Sequence, residues 1–222
     1  SFLTAKEINI CKPNGENVVV FADHTLIATG SRPRVIPGID VDEKNILTSD
    51  GILHIDSFPK SMVILGAGVI GCEFAAMFSN FGQTKVYLID KAERILPFED
   101  DDVADMVATN LEENGVVVHR GSQLIRMEHK NGGVEYELEN NDGTREVIQV
   151  EKAMLSIGRV PNIENLNLDN AGIAMSKRGV HIGDNDTQTN IPHIYAVGDV
   201  SGNLALVNVG EREARHAVVK MF

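Results

Sequence analysis

Hydrophobic and polar residues alternate with the two-residue period of β-strands near the beginning of the chain. This pattern predicts strands at Glu7–Ile10, Asn17–Phe21 and His24–Ala28. Pro13-Asn14-Gly15 lies between the first two and predicts the turn of a hairpin. Residues 31–60 are interrupted by prolines and glycines, so they predict a connection, with the passage between domains near residues 45–60.

The next part of the chain alternates between apolar runs and segments with a helical period. The apolar runs predict buried parallel strands at Met62–Leu65, Lys85–Ile89 and Val116–His119. Apolar residues three and four positions apart predict helices at Val69–Phe81 and Asp100–Asn114. Strands that alternate with helices in this way are typical of a doubly wound parallel sheet.

The pattern changes again after residue 122. Alternating segments separated by Gly- and Asn-rich turns predict an antiparallel meander at Leu124–His129, Val134–Glu139 and Glu146–Val150. Two further buried strands are predicted at Ala153–Ile157 and Ile194–Val197, and a helix at Ala205–Phe222. The predicted fold class is α/β, with a Rossmann-like parallel sheet that carries an antiparallel meander.

Composition narrows the function classes. The 222 residues carry a formal net charge of −12, which argues against a nucleic-acid partner and against an anionic membrane surface. No apolar run is long enough to span a bilayer. Cys11 and Cys72 lie far apart and outside any Cys/His cluster, so no metal site is expected. Both cysteines suit a reducing compartment, and we expect a cytoplasmic protein.

The chemistry is carried by Gly66-Ala67-Gly68-Val69-Ile70-Gly71, which follows a predicted strand and opens a predicted helix. Gly66 permits a tight turn, Gly68 lets backbone N–H groups approach a pyrophosphate, and Gly71 lets the helix pack closely on the strand. The N-terminus of the helix adds positive potential. The motif predicts a dinucleotide site, and a purely structural glycine-rich turn is the alternative.

Asp90 ends the second strand of this unit, close to the offset expected for a residue that accepts hydrogen bonds from the adenosine ribose. A carboxylate at this position repels a 2′-phosphate and therefore favours NAD(H). Lys91 and Arg94 follow closely and could soften that preference. The alternative is that Asp90 is a solvated residue at the end of a strand.

Four motifs, in this order, resemble the flavin-dependent pyridine nucleotide–disulfide oxidoreductases over nearly the whole chain. They are Ala28-Thr29-Gly30-Ser31-Arg32-Pro33, Gly66–Gly71 with Glu73, Ile157-Gly158-Arg159-Val160-Pro161-Asn162 and Tyr195-Ala196-Val197-Gly198-Asp199-Val200. The resemblance implies NAD and FAD as cofactors and hydride transfer between them. Within the family it is greatest to dihydrolipoamide dehydrogenases. Soluble transhydrogenases are the near alternative, and NADH oxidases or ferredoxin reductases are a third.

The resemblance also implies a role for individual residues. Those expected to contact NAD are Gly66, Gly68, Val69, Ile70, Gly71, Asp90, Leu124 and Gly158. Those expected to contact FAD are Thr29, Gly30, Asp199, Ala205, Leu206, Val207 and Asn208. Glu73 resembles a glutamate that helps to place the nicotinamide, and it is the catalytic candidate.

The order of the motifs implies a discontinuous layout. Residues 1–47 and 165–222 are expected to form a partial FAD domain, and residues 48–164 an NAD domain inserted between them. The family's first GxGxxG motif, its CxxxxC redox pair and its C-terminal interface domain are not found in this sequence. We therefore expect an internal piece of a homodimeric enzyme, which by itself is an NAD-binding module without turnover.

Overall fold

A computed structural model describes residues 1–183 and 186–222. The chain forms two compact units, one made of Ser1–Arg32 with Arg159–Phe222 and the other of Pro33–Gly158. These boundaries differ from the domain boundaries expected at 47/48 and 164/165. At the first boundary, the partly buried side chains of Ile36, Ile39 and Val41 pack into the core of the second unit.

The strands of the described residues are β1 (Glu7–Cys11), β2 (Asn17–Phe21), β3 (Thr25–Ile27), β4 (Ser31–Pro33), β5 (Ile46–Thr48), β6 (Ser61–Leu65), β7 (Lys85–Ile89), β8 (Val117–His119), β9 (Gln123–Lys130), β10 (Gly133–Glu139), β11 (Arg145–Val150), β12 (Lys152–Leu155), β13 (Arg159–Pro161) and β14 (Ile194–Ala196). The α-helices are α1 (Val69–Asn80), α2 (Asp101–Glu113) and α3 (Val207–Met221). Short 3₁₀ turns occur at Gly51–His54, Leu168–Ala171 and Gly198–Ser201.

The second unit is built on a parallel sheet with the strand order β5-β12-β6-β7-β8. Side chains of successive residues of β6 point to opposite faces. Met62 and Ile64 pack among the residues of α1 and α2, whereas Val63 and Leu65 pack under the meander β9–β11. Both faces are therefore covered, which explains why β6 is an unbroken apolar run.

Sequence patterns account for the buried face of α1, the start of α2 and the ends of both helices. On α1, Cys72, Ala75 and Phe78 share one buried face. The two acidic residues in the first turn of α2 complement the positive end of its dipole. Gly82 and Gly115 follow the two helices with left-handed backbones, a conformation in which glycine avoids the steric cost of a side chain.

The structure confirms the expected α/β class and corrects one segment. The predicted β6–α1–β7–α2–β8 alternation and the three-stranded meander are present, with ends shifted by at most one residue. Residues 45–60 are not only a connection, because β5 is a buried strand that pairs in parallel with β12. A strand of three residues is too short for a periodic pattern to reveal it.

The described strands outside the large sheet and the meander form three two-stranded sheets. Strand β14 runs parallel to β3, β1 and β2 form the predicted hairpin, and β4 pairs with β13. Helix α3 buries Ala217 against Tyr195 and Val197. It begins at Val207 rather than at the predicted Ala205, because the backbone of Leu206 is extended. No helix in the described part of either unit is long and apolar enough to cross a membrane.

Candidate functional site

The turn between β6 and α1 is shaped by two glycines that cannot be replaced without displacement of the backbone. Gly66 has a φ of 102°, and a Cβ there would lie 2.6 Å from the carbonyl oxygen of Ser156. A Cβ on Gly71 would overlap the carbonyl oxygen of Gly66. The helix can therefore approach the turn only because both positions lack a side chain.

Gly68 has a different environment. It is the N-cap of α1, and a Cβ there would meet nothing within 4 Å. No side chain caps the helix, and its first backbone bond runs from the N–H of Cys72 to the carbonyl of Gly68. The N–H groups of Val69 and Ile70 therefore precede the first intrahelical donor and have no acceptor within the helix. This combination of free space, N–H donors and a positive helix end suits a pyrophosphate.

Asp90 lies directly against this turn. Its Oδ2 accepts a hydrogen bond of 2.7 Å from the N–H of Ala67, and its Oδ1 accepts one of 2.9 Å from the N–H of Ala92. A carboxylate has about four acceptor positions, so further donors such as ribose hydroxyls can still be bound. The structure thus brings Asp90 and Gly66–Gly71 together at the carboxyl end of the sheet, where ligands bind to open α/β folds.

Cys72 lies behind the turn and is not a reactive thiol. Its Sγ donates to the carbonyl of Ala67 at 3.4 Å. Burial raises the pKa of this thiol to about 12, and the nearby charges of Asp90 and Glu73 act in the same direction. Cys72 is therefore protonated at neutral pH, as expected for a residue of the core rather than a redox centre.

The remaining residues expected to contact NAD lie on α1, after β12 and on β9. Val69 and Glu73 lie on the exposed side of α1. Gly158 follows β12, whose Leu155 pairs with Leu65 of β6, so it leaves the sheet near the glycine turn. Leu124 lies near the start of β9 and is partly buried against the core under the meander.

Asp199 of the first unit is held in a polar cluster at the end of β14. The hydroxyl of Ser31 donates to its Oδ2 at 2.5 Å. Arg159 Nε donates to the same hydroxyl at 2.7 Å and lies 3.9 Å from the carboxylate. Thr29 and Gly30, which directly precede Ser31, are both hydrogen-bonded to Asn162. The N–H of Asn162 donates to Gly30 O at 2.9 Å, and Thr29 Oγ1 donates to Asn162 O at 2.7 Å.

Helix α3 approaches the same turn from its N-terminal half. The N–H of Gly198 donates to Glu213 Oε2 at 2.7 Å, and a Cβ on Gly210 would lie 3.3 Å from Gly198 Cα. At the start of this helix, the N-cap Leu206 is 55% exposed and the first helical residue Val207 is 93% exposed. Ser31 and Arg159 lie within two of the four motifs, but the sequence assigns no role to them or to Glu213, because no sequence spacing links them to Asp199.

A parallel sheet whose first strand leads through a glycine turn into a helix, and whose second strand ends in an aspartate beside that turn, defines a dinucleotide-binding α/β protein. The chain belongs to the family described as pyridine nucleotide-disulphide oxidoreductase, whose profile matches residues 3–214. Members of this family bind FAD and a pyridine nucleotide.

Known relatives cover nearly all of this chain. Dihydrolipoyl dehydrogenase of Bacillus subtilis is 38% identical over 214 residues, which cover 95% of this chain and 44% of that protein. Soluble pyridine nucleotide transhydrogenase of Mycobacterium bovis is 37% identical and covers 93% of this chain and 43% of that protein. The chain therefore spans less than half the length of these curated relatives.

A solved structure supports the same assignment of the fold. The HOCl-induced flavoprotein disulfide reductase RclA from Escherichia coli matches with a TM-score of 0.84 at 30% identity. The match covers 96% of this chain and 47% of RclA. Among residues 1–183 and 186–222, no group of three or more His, Cys, Asp or Glu side chains is arranged to hold a metal ion.

Proposed function

We propose that the second unit binds NAD(H) at the turn Gly66–Gly71. The observation that carries this proposal is the open position at Gly68, which lies at the uncapped N-terminus of α1. The N–H groups of Val69 and Ile70 would bind the pyrophosphate, and Asp90 the adenosine ribose. At one end of the dinucleotide, Leu124 would contact the adenine. At the other end, Gly158 would lie near the nicotinamide.

The first unit would contribute to an FAD site. Asp199 is half-buried and accepts a hydrogen bond from Ser31, so it is well placed to bind a ribityl hydroxyl. The residues proposed to contact FAD are Thr29, Gly30, Asp199, Ala205, Leu206, Val207 and Asn208. The exposed apolar side chains of Leu206 and Val207 support this, because contact with a cofactor would remove them from water.

The whole protein is proposed to be an FAD-dependent oxidoreductase that uses NAD(H), most like dihydrolipoamide dehydrogenase, with a soluble transhydrogenase as the alternative. Relatives of both kinds support it. Hydride transfer is supplied by the two cofactors when they are bound. Glu73 would help to place the nicotinamide. A homodimer in the cytoplasm is part of the proposal: the two free cysteines support a reducing compartment, and the dimer is what the resemblance to the family implies.

The decisive experiment is a calorimetric titration of the 222-residue chain with NADH and, separately, with NADPH, which measures the affinity for each dinucleotide. We expect saturable binding of NADH and weaker binding of NADPH, because Asp90 opposes a 2′-phosphate. Equal affinities would contradict the preference for NAD. Absence of NADH binding, by a chain whose circular dichroism shows it to be folded, would contradict the proposed site.

A second candidate function is that of a binding module without turnover. It is favoured by the cysteines, because Cys72 is a buried, protonated thiol and Cys11 lies on the hairpin of the other unit. The chain is then expected to bind NADH but not to oxidise it when FAD and a dye acceptor are added. Sustained NADH oxidation, at a rate proportional to the concentration of the chain, would contradict this candidate.

A further inference from the structure

Both the backbone N–H and the backbone carbonyl of Ala67 are hydrogen-bonded to residues outside the glycine turn. The N–H of Ala67 donates to Asp90 Oδ2 at 2.7 Å. Its carbonyl oxygen accepts from the N–H of Leu96 at 2.8 Å and from Cys72 Sγ at 3.4 Å. Ala67 is fully buried, so water does not replace these partners when they are lost.

Leu96 takes an unfavourable backbone conformation in order to make its contact. Its φ is 48°, in the left-handed region that a leucine rarely enters. Its side chain is buried in the core between the sheet and the helices, which holds the residue in place. Such strain persists only where the surroundings enforce it, and it frequently marks a functional element.

The orientation of Ala67 determines where Gly68 and the first N–H groups of α1 point. Gly66 and Gly68 have no side chains that could anchor the turn, so it is held through its backbone. The carbonyl oxygen of Gly66 accepts a hydrogen bond of 2.8 Å from Ser156 Oγ, and the N–H of the same peptide group, that of Ala67, donates to Asp90. The peptide group between Gly66 and Ala67 is therefore a point at which the surrounding structure fixes the turn, with Ser156 on its carbonyl and Asp90 on its N–H. Asp90 is the sole side chain among the described residues that binds its N–H.

We propose that Asp90 is a positioning residue for the phosphate-binding turn, in addition to any contact with the adenosine ribose. Its carboxylate holds the Ala67 N–H and so keeps the N-terminus of α1 open toward the pyrophosphate. One residue then links the recognition of the ribose to that of the pyrophosphate. This inference rests on the proposed binding of NAD(H).

A cycle of variants and ligands separates the two roles. In Asp90→Leu two methyl groups replace the two carboxylate oxygens on the same branched skeleton, so the side chain keeps its shape, is larger and cannot accept a hydrogen bond. NADH is compared with its 2′,3′-dideoxyadenosine form, which lacks the ribose hydroxyls that the carboxylate would bind. Asp105→Leu, on the exposed side of α2, is the matched control because it makes the same chemical change.

If Asp90 positions the turn, Asp90→Leu weakens binding of the dideoxy dinucleotide by about five-fold or more, and Asp105→Leu does not. If Asp90 acts through the ribose alone, the dideoxy form binds equally well to the variant and the unchanged chain, and the proposal is overturned. Loss of NADH binding by the unchanged chain would instead reject the proposed function.

Hydrogen exchange in the ligand-free chain tests the same contact without any dinucleotide. Asp90→Leu, or Asp90→Ala should the leucine variant not fold, is expected to accelerate exchange of the Ala67 amide by about ten-fold. The Gly66 amide is the internal reference, because it donates to Ile89 O within the sheet. Equal protection of the Ala67 amide with and without Asp90 would overturn the proposal.

Discussion

Ser31 donates its hydroxyl hydrogen to Asp199, which lies 168 positions later in the sequence. The hydroxyl can do so because Arg159 Nε donates to the same oxygen and fixes its orientation. A short chain of hydrogen bonds from Arg159 through Ser31 to Asp199 therefore ties β4, β13 and the turn after β14 together in the first unit.

Removal of the Ser31 hydroxyl should destabilise the first unit. Ser31→Ala leaves one oxygen of a half-buried carboxylate without its shortest hydrogen bond. The expected loss in free energy of unfolding is about 1 kcal/mol, after allowance for solvent around Asp199. Urea denaturation measures it. Ser31→Thr keeps the hydroxyl and should stay near the unchanged chain, and an equal loss in both variants would contradict the explanation.

Two glycines of the same turn should behave in opposite ways. Gly71→Ala places a Cβ on the carbonyl oxygen of Gly66 and should cost more than about 2 kcal/mol of stability. Gly68→Ala meets open space and should cost less than about 1 kcal/mol, but its methyl group would occupy the phosphate position and weaken NADH binding. Thermal unfolding and NADH titration measure the two effects.

The meander carries an ion-pair network around the buried carboxylate of Glu135, and this network should respond to acid. Hydrogen bonds from Lys130, Gln149 and Arg126 lower the pKa of Glu135 from 4.5 to about 2. Because the carboxylate is more acidic in the folded chain, its contribution to stability is present above about pH 4.5 and is lost as the pH falls toward 2. Glu135→Gln should therefore show a smaller decrease in urea midpoint between neutral pH and about pH 3. An unchanged decrease would contradict this.

His119 should make stability depend on pH in a higher range. Burial lowers its pKa below 6.5, although Glu146 opposes the shift. Its Nε2 is buried without a hydrogen-bond partner among the described residues. The unfolded chain therefore binds a proton first, so stability is lost as the pH falls below about 6.5. His119→Gln should reduce this loss, whereas replacement of the exposed His129 should not. Urea midpoints between pH 8 and pH 5 provide the measurement.

The two cysteines should differ in reactivity toward iodoacetamide. Cys11 is exposed on the hairpin, whereas Cys72 is buried and its pKa is raised to about 12. Alkylation of the folded chain at pH 8 is expected to modify Cys11 alone, because only a thiolate reacts at a useful rate. Mass spectrometry of peptides gives the site. Modification of both cysteines before unfolding would contradict the assigned environment of Cys72.

Local rules explain which features the sequence could predict. Gly71 is required by a contact with the carbonyl oxygen of Gly66 within the same turn, so the spacing of the glycines alone indicates a turn that leads into a helix. The contact that excludes a side chain at Gly66 is made with Ser156, on a distant segment. The contacts of Asp199 with Ser31 and of Ala67 with Leu96 join distant segments and leave no periodic signal. Strand β5 was missed for a related reason, since a strand of three residues owes its existence to its partner β12 rather than to its own pattern.

The strand order β5-β12-β6 has a consequence for the growing polypeptide. Strand β5 is made before β6, yet its neighbour β12 is the last of the five strands to be synthesised. During translation, β5 and one edge of β6 therefore wait with unpaired peptide groups until Leu155 has left the ribosome. A nascent chain that stalls in this interval presents an open edge to other chains, and this is the stage at which a chaperone would be needed most.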